Sequence, residues 1–297
     1  MTFYKLIPLL SLCLFVTDLA KADEKSCIAV IVSGSESRPF WSSVIAGAVQ
    51  AGNELGVKIH ARGTVNDKDD KGQKRILYSI LKKHHCNGVV IAPSDVSRNE
   101  DVYFLKQKGI PTVYVDRDTG GERIASIKTD NQAAGMLAAT KLSKALKGKK
   151  RVILFRLQKG VTSTDARELG FTEKAEELGL NIVASPYLGS RVGTARQKAQ
   201  ETLRLHPNID GIFTPNDTTT VGVIKARETY GKNTELIHIG FDENDVIIEN
   251  LKKGKLSGYL TQSPFEMGYQ AIYTLQHALI NGLPANDITT QINYHSN

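Results

Sequence analysis

Two strand-like runs end on carboxylates. Thr112–Val115 leads into Asp116-Arg117-Asp118, and Leu236–Ile239 leads into Gly240-Phe241-Asp242. An ionised carboxylate only accepts hydrogen bonds, and a guanidinium only donates them, in a planar fork. Together they suit a ligand group that does both, as a hydroxyl does. Pro39-Phe40-Trp41 follows the apolar run Ile28–Val32 and adds two aromatic rings, which can cover an apolar face of such a ligand. This is chemistry for holding a molecule. The chain has no Gly-x-Ser-x-Gly elbow, no Walker loop and no paired-histidine metal motif. His84-His85-Cys86 is a superficial metal cluster. Adjacent side chains point apart on a helix or a strand, and no fourth ligand is evident, so no metal is expected.

These residues need a scaffold that gathers strand ends. Ile28–Val32 is unbroken and apolar, which suits a strand buried on both faces. Pro39 suits the first turn of a helix, and Val44, Ile45, Ala48 and Val49 continue it. The two rings then stand at the carboxyl end of a strand, where open α/β sheets bind ligands. Strands and helices alternate from there, the signal for parallel sheets flanked by helices. Helices are predicted over 71–83, 102–108, 133–146, 165–178, 192–205, 218–230, 245–253 and 264–280, and a last strand over 289–293. The plan repeats: Gly88–Asp95 matches Gly211–Asp217 in kind, each about 60 residues after its half's first strand. Asp116 and Asp242 then end the next strand of each half. A strand-end aspartate is often a helix cap, and the recurrence in both halves is what favours a ligand role. A duplicated plan implies two similar domains with a ligand between them.

The chain has 297 residues, 41% of them apolar, and a formal net charge of +7. These are values of a soluble globular protein of one or two domains. The one dense basic cluster, Lys147-Gly-Lys-Lys-Arg151, falls at a predicted helix end and reads as solvated, so no nucleic-acid footprint is expected. Lys5, the apolar Leu6–Val16 and Ala20-Lys21-Ala22 have the plan of a cleavable export leader over residues 1–22. Nothing later is apolar enough to span a membrane. Export leaves Cys27 and Cys86, each beside the start of a predicted strand. If those strands are neighbours, a disulfide is possible in an oxidising compartment. Closing a loop of about 60 residues is worth roughly 4 kcal/mol by the chain-entropy argument. The competing reading is two buried thiols.

Taken in order, the leader, Arg38-Pro-Phe-Trp41, Val115-Asp-Arg117, Pro215-Asn-Asp217, Gly240-Phe-Asp242 and Thr261-Gln262 resemble the periplasmic sugar-binding proteins of the ribose and galactose type. The likeness covers essentially the whole mature chain. It implies an α/β fold: two doubly wound parallel-sheet domains, a three-crossover hinge and a ligand cleft between them. The implied division is 23–129 with 263–286 for the first domain, and 130–262 with 287–297 for the second. Phe40 and Trp41 match the aromatic pair that packs on the sugar ring. Asp116 and Arg117 match a hydroxyl-binding pair of the first domain, and Arg167 an arginine of the second. Asn216, Asp242 and Gln262 match hydroxyl-binding side chains of the second domain and hinge, and Phe241 a wall residue.

The resemblance implies a monomeric periplasmic protein, not an enzyme, with no cofactor. It would capture a monosaccharide by hinge closure and deliver it to an inner-membrane ABC permease. A second reading is a sensing subunit for a chemoreceptor or a membrane kinase or cyclase. Trp41 and Arg167 also resemble autoinducer-2 receptors of the same fold, which lack the combination of Asn216, Asp242 and Gln262. The lac-repressor family shares the core, but the leader stands here where its DNA-binding helices would be. Two departures matter. The ribose pattern has amides where this chain has Arg38 and Ala92. Arg38, Arg117 and Arg167 set three guanidiniums against two carboxylates, which extends the expected ligands to anions. The alternative is an Arg38 that points to solvent across the cleft mouth. Asp165 reads equally as a ligand carboxylate or a helix cap, and Arg191 is a weaker candidate.

Overall fold

The computed structural model describes residues 26–229, 236–282 and 284–297. The leader expected over 1–22 lies outside them, as does the predicted end of the 218–230 helix. The first half runs β1 (Cys27–Val32), α1 (Pro39–Leu55), β2 (Lys58–Gly63), α2 (Asp70–His84), β3 (Gly88–Ile91), α3 (Arg98–Gln107), β4 (Thr112–Val115) and β5 (Ala125–Thr129). The second runs α4 (Asn131–Leu146), β6 (Arg151–Leu154), α5 (Thr162–Glu177), β7 (Asn181–Ala184), α6 (Val192–Leu205), β8 (Gly211–Phe213), α7 (Asp217–Glu228), β9 (Ile237–Phe241), α8 (Asp245–Lys252) and β10 (Gly258–Thr261). α9 (Pro264–Asn281), β11 (Ile288–Thr290) and β12 (Asn293–His295) follow.

The strands form two six-stranded sheets, ordered β11-β5-β4-β3-β1-β2 and β12-β10-β9-β8-β6-β7. All pairings are parallel except β10 with β12. In each sheet the half's first strand sits beside the third, which is the doubly wound order with its switch point at the strand carboxyl ends. β1 is buried along its whole length, because helices cover both faces of the sheet.

Both domains use the same device to bring two helices together. A Cβ at Gly47 of α1 would stand 2.0 Å from the Phe265 carbonyl oxygen, and one at Gly268 of α9 1.9 Å from that of Val44. In the second domain, Gly135 of α4 meets the Arg167 carbonyl and Gly170 of α5 that of Gln132, at 2.0 and 2.1 Å. The missing side chains let α1 lie on α9, and α4 on α5, backbone to backbone. Cys27 and Cys86 form a disulfide with their Cα atoms 4.4 Å apart, stapling the start of β1 to the approach to β3.

The strand expected over 289–293 is two strands in two sheets. Ile288–Thr290 pairs with the free edge of β5, through Ile288 beside Ile127 and Thr290 beside Thr129. Asn293–His295 turns antiparallel onto β10. The expected domain boundary at residue 287 is therefore too early. β11 completes the first sheet, and the chain crosses to the second only after Thr290. The other two passages lie between β5 and α4 and between β10 and α9.

Candidate ligand-binding site

The carboxyl ends of the two sheets face each other, and the side chains there enclose a small cavity. Its lining includes Arg38, Phe40, Trp41, Asp116, Arg117 and, from the other domain, Arg167, Asn216, Asp242 and Gln262. Nine of the ten expected ligand residues therefore converge.

Arg38 is the N-cap of α1 but caps nothing with its side chain. Trp41 is 2% exposed and meets Phe40 edge to face, ring centroids 4.8 Å apart. Trp41 also packs over Gly34, where a Cβ would stand 2.5 Å from the indole nitrogen. The Arg117 guanidinium lies 5.7 Å from the centre of the Trp41 ring. Asp116 and Asp242 both adopt left-handed backbone, with φ of 63° and 64°. Aspartate tolerates that region better than most residues, and such conformations cluster at functional sites. The duplicated plan thus extends to the backbone angle that aims each carboxylate into the cleft.

The cations are held by protein groups. Arg117 donates through Nη2 to Asp67 Oδ1 at 2.6 Å and through Nη1 to the Asp67 carbonyl at 3.0 Å. Its Nε lies 3.3 Å from Asp116 Oδ2. Arg167 is fully buried. It donates through Nε to Asn131 Oδ1 and through Nη1 to the Pro215 carbonyl, both at 2.8 Å. Its Nη2 has no partner, which leaves one donor pair free at the cavity wall. The Arg167 guanidinium lies 3.9 Å from the centre of the Phe241 ring. Phe241 is wholly buried and does not line the cavity. Its expected role as a wall is corrected: it is the platform under Arg167, because its side chain joins the second domain's core.

Arg38 does not point to solvent. It donates through Nη1 to Asp67 Oδ2 at 3.0 Å and through Nη2 to Asp217 Oδ1 at 2.6 Å. Asp67 belongs to the first domain and Asp217 begins α7 of the second, so Arg38 bridges the cleft. Burial works against its charge, but Asp217 and Asp67 outweigh burial and hold its pKa above the ordinary value. Lys68 makes a second bridge, from its ion pair with Asp95 to the Gly160 carbonyl at 3.2 Å. The space left inside is about 20 Å³, against the roughly 10–15 Å³ that one water needs. A ligand larger than a water enters only when Arg38 swings out or the domains part.

Asn216 spends its carbonyl oxygen capping α7, accepting from Thr219 N at 3.1 Å and Thr219 Oγ1 at 2.8 Å. Asp242 accepts from Gln262 Nε2 at 2.7 Å and from Asp217 N at 3.1 Å. Gln262 in turn accepts from Thr129 Oγ1 of the first domain at 3.1 Å. Burial, helped by the repulsion of Asp217, pushes the Asp242 carboxyl up to about 6, against the pull of Arg167. Burial likewise raises Asp116, against Arg117 and Arg167.

Sequence reading missed Asp67 as a site residue and left Asp217 without a role. Counting both, three guanidiniums (Arg38, Arg117, Arg167) meet four carboxylates (Asp67, Asp116, Asp217, Asp242). The excess of positive charge that pointed to an anionic ligand is gone. Asp165 accepts from Gly160 N at 2.8 Å and shapes the turn before α5 without lining the cavity. Arg191 is the exposed residue before α6. Ala92 is buried in the core, where its carbonyl accepts from Ser33 and Gln73.

The fold agrees with the comparisons. The periplasmic binding protein domain family matches residues 28–283. The chain belongs to that family. It is 26% identical over 283 residues to the ribose import binding protein of Escherichia coli (strain K12), covering 94% of each. It is similar to the crystal structure of an ABC-type sugar transport system periplasmic component from Hahella chejuensis. The two are 32% identical with a TM-score of 0.86, over 91% of this chain and 100% of that one. A carbohydrate transporter solute binding protein from Agrobacterium radiobacter, solved with D-arabinose, is 26% identical with a TM-score of 0.85, over 92% and 94%. The periplasmic binding proteins it joins are transport receptors rather than enzymes.

Proposed function

We propose that this protein captures a neutral monosaccharide between its two domains and hands it to an ABC importer. The observation that carries the reading is the paired set of strand-end groups. Asp116 and Arg117 on one domain face Asp242, Asn216 and Arg167 on the other, with Trp41 beside them. A sugar ring presents hydroxyls around its rim and C–H groups on its faces, and this set answers both. Charge-assisted hydrogen bonds contribute about 1.5–3 kcal/mol each, and an absent hydroxyl leaves a buried group unpaired, so stereoisomers are told apart. The names of the relatives, ribose import and ABC-type sugar transport, support uptake over sensing. The balance of three cations and four carboxylates supports a neutral ligand over a sugar acid or phosphate. Export through a leader at residues 1–22 and action as a monomer complete the reading.

Calorimetric titration with neutral pentoses and hexoses, sugar acids and sugar phosphates tests it. One neutral sugar binds tightly and the charged ones do not. Selective binding of a sugar acid or phosphate would overturn the charge argument, and no heat with any sugar would overturn the function.

A further inference from the structure

A second cavity, of about 450 Å³, opens at the free edge of the first sheet between β2 and α2. It shares no lining residue with the cleft. Side chains alternate along β2. Ile59 and Ala61 pack into the core on the α1 side, which turns His60 and Arg62 towards α2. Arg75, Ser79 and Lys83 recur every four residues on α2 and face them across the cavity. His84 closes the end, its ring stacked on that of His60 with centroids 3.5 Å apart.

Basic side chains of β2 and α2 therefore confront each other in a cavity that Ile59, Ala61, Ile76 and Ile80 also line. Among the described residues no carboxylate lines the cavity. Glu36, beside the end of β2, is engaged with the backbone N–H of Gly63. Among the described residues the Arg62 guanidinium donates only to the Ala61 carbonyl, at 3.0 Å, and Arg75 and Lys83 make no salt bridge. Burial and then the charges of Lys58, Arg62, Lys83 and the neighbouring histidines hold both stacked imidazoles below their ordinary pKa. Clustered like charges repel, and what relieves them is an anion. Arginine forks match tetrahedral oxyanions with paired hydrogen bonds, and the Ser79 hydroxyl adds a donor. The volume falls in the range of small-molecule sites, roughly 300–1,000 Å³.

We propose that this edge cavity binds a small multivalent oxyanion, a phosphate ester or pyrophosphate-like group, independently of the sugar cleft. Binding brings negative charge to His60 and His84 and opposes the lowering of their pKa. Concavity favours a small molecule over a flat anionic surface.

The test is calorimetric titration of the whole protein with sodium pyrophosphate in 150 mM NaCl at pH 8. It is repeated on Arg75→Ala/Lys83→Ala, both exposed positions, with the melting temperature as a check on folding. The expected result is one saturable site, at least tenfold weaker in the double variant. Sugar titration of the same variant is unchanged, so this proposal and the sugar-binding reading fail separately. Absence of saturable heat, equal affinity in wild type and variant, or loose uptake of several ions would overturn it. So would recruitment to phosphatidylglycerol vesicles without uptake of free pyrophosphate, which would assign the face to a membrane surface.

Discussion

Replacing Arg38 with Gln tests whether the cleft carries its own latch. Of the two carboxylates Arg38 holds, Asp67 lies on its own domain and stays paired when the cleft opens. Only the 2.6 Å bond to Asp217 depends on closure. The Arg38 side chain is 23% exposed and that of Asp217 11%, so the pair is neither dry nor fully screened. A hydrogen bond between charged partners in such a place contributes about 1.5–3 kcal/mol. That shifts the open–closed ratio about ten- to a hundredfold. After the substitution Asp217 keeps its bonds from Thr218 N at 2.7 Å and Thr218 Oγ1 at 3.2 Å, so little is left unpaired. Small-angle scattering of the unliganded protein reads the outcome as a larger radius of gyration in Arg38→Gln. A double-mutant cycle with Asp217→Asn isolates the pair. Trp41, the chain's one tryptophan, reports closure by fluorescence. Identical scattering from both proteins, with a coupling below about 0.5 kcal/mol in the cycle, would refute the latch.

Asp242 makes binding and stability respond to pH in opposite directions. Its folded pKa of about 6 lies above the ordinary 3.8, so the native state holds this proton more tightly than the unfolded chain. Its contribution to stability is therefore fully present below pH 4 and lost as the pH rises through 6, a change on the order of 3 kcal/mol. Sugar affinity runs the other way and falls as the pH drops through 6. Asp242→Asn flattens both profiles, read by urea unfolding and by calorimetry. Cys27→Ser/Cys86→Ser lowers stability by about 2–4 kcal/mol in urea unfolding and leaves sugar affinity intact. Gly135→Ala forces α4 away from the Arg167 carbonyl, costs about 1–3 kcal/mol and weakens sugar binding, because Arg167 moves with α5. Trp41→Ala removes a buried ring of the first domain's core as well as a cleft wall. It costs about 3–5 kcal/mol in stability along with sugar affinity.

The strand ends are legible in the sequence because each carboxylate follows a short, mostly apolar run. Asp116 and Asp242 can be read in this way, and the repeat in the second half reinforces both. Asp67 is not legible. It stands in Asn66-Asp-Lys-Asp-Asp70, where three aspartates have the same local claim. The fold separates them: Asp69 caps α2, Asp70 pairs with Arg98, and Asp67 turns inward to Arg117. The rule that ligand residues follow strand ends would have flagged the segment, since it comes just after β2. Phe241 misleads for a different reason. Adjacent residues at a strand end point to opposite sides, so the neighbour of a ligand residue need not touch the ligand. The division of 288–295 between two sheets depends on which sheet edge is free, and no local pattern carries that.

The first domain is not made from one continuous stretch. Its sixth strand, β11, and the helix that brings Met267, Ala271, Ile272 and Leu275 to the core around Trp41 both come from the end of the chain. The second domain lacks only the short β12 from beyond its own span. A chain emerging amino-terminus first, from a ribosome or through a membrane pore, cannot seal the first core until nearly all of it is out. The later half can condense before the earlier one, and the earlier half waits unsealed, still threadable, for its last helix. A chain cut before α9 then holds a second domain close to complete, joined to a first half that proteases digest.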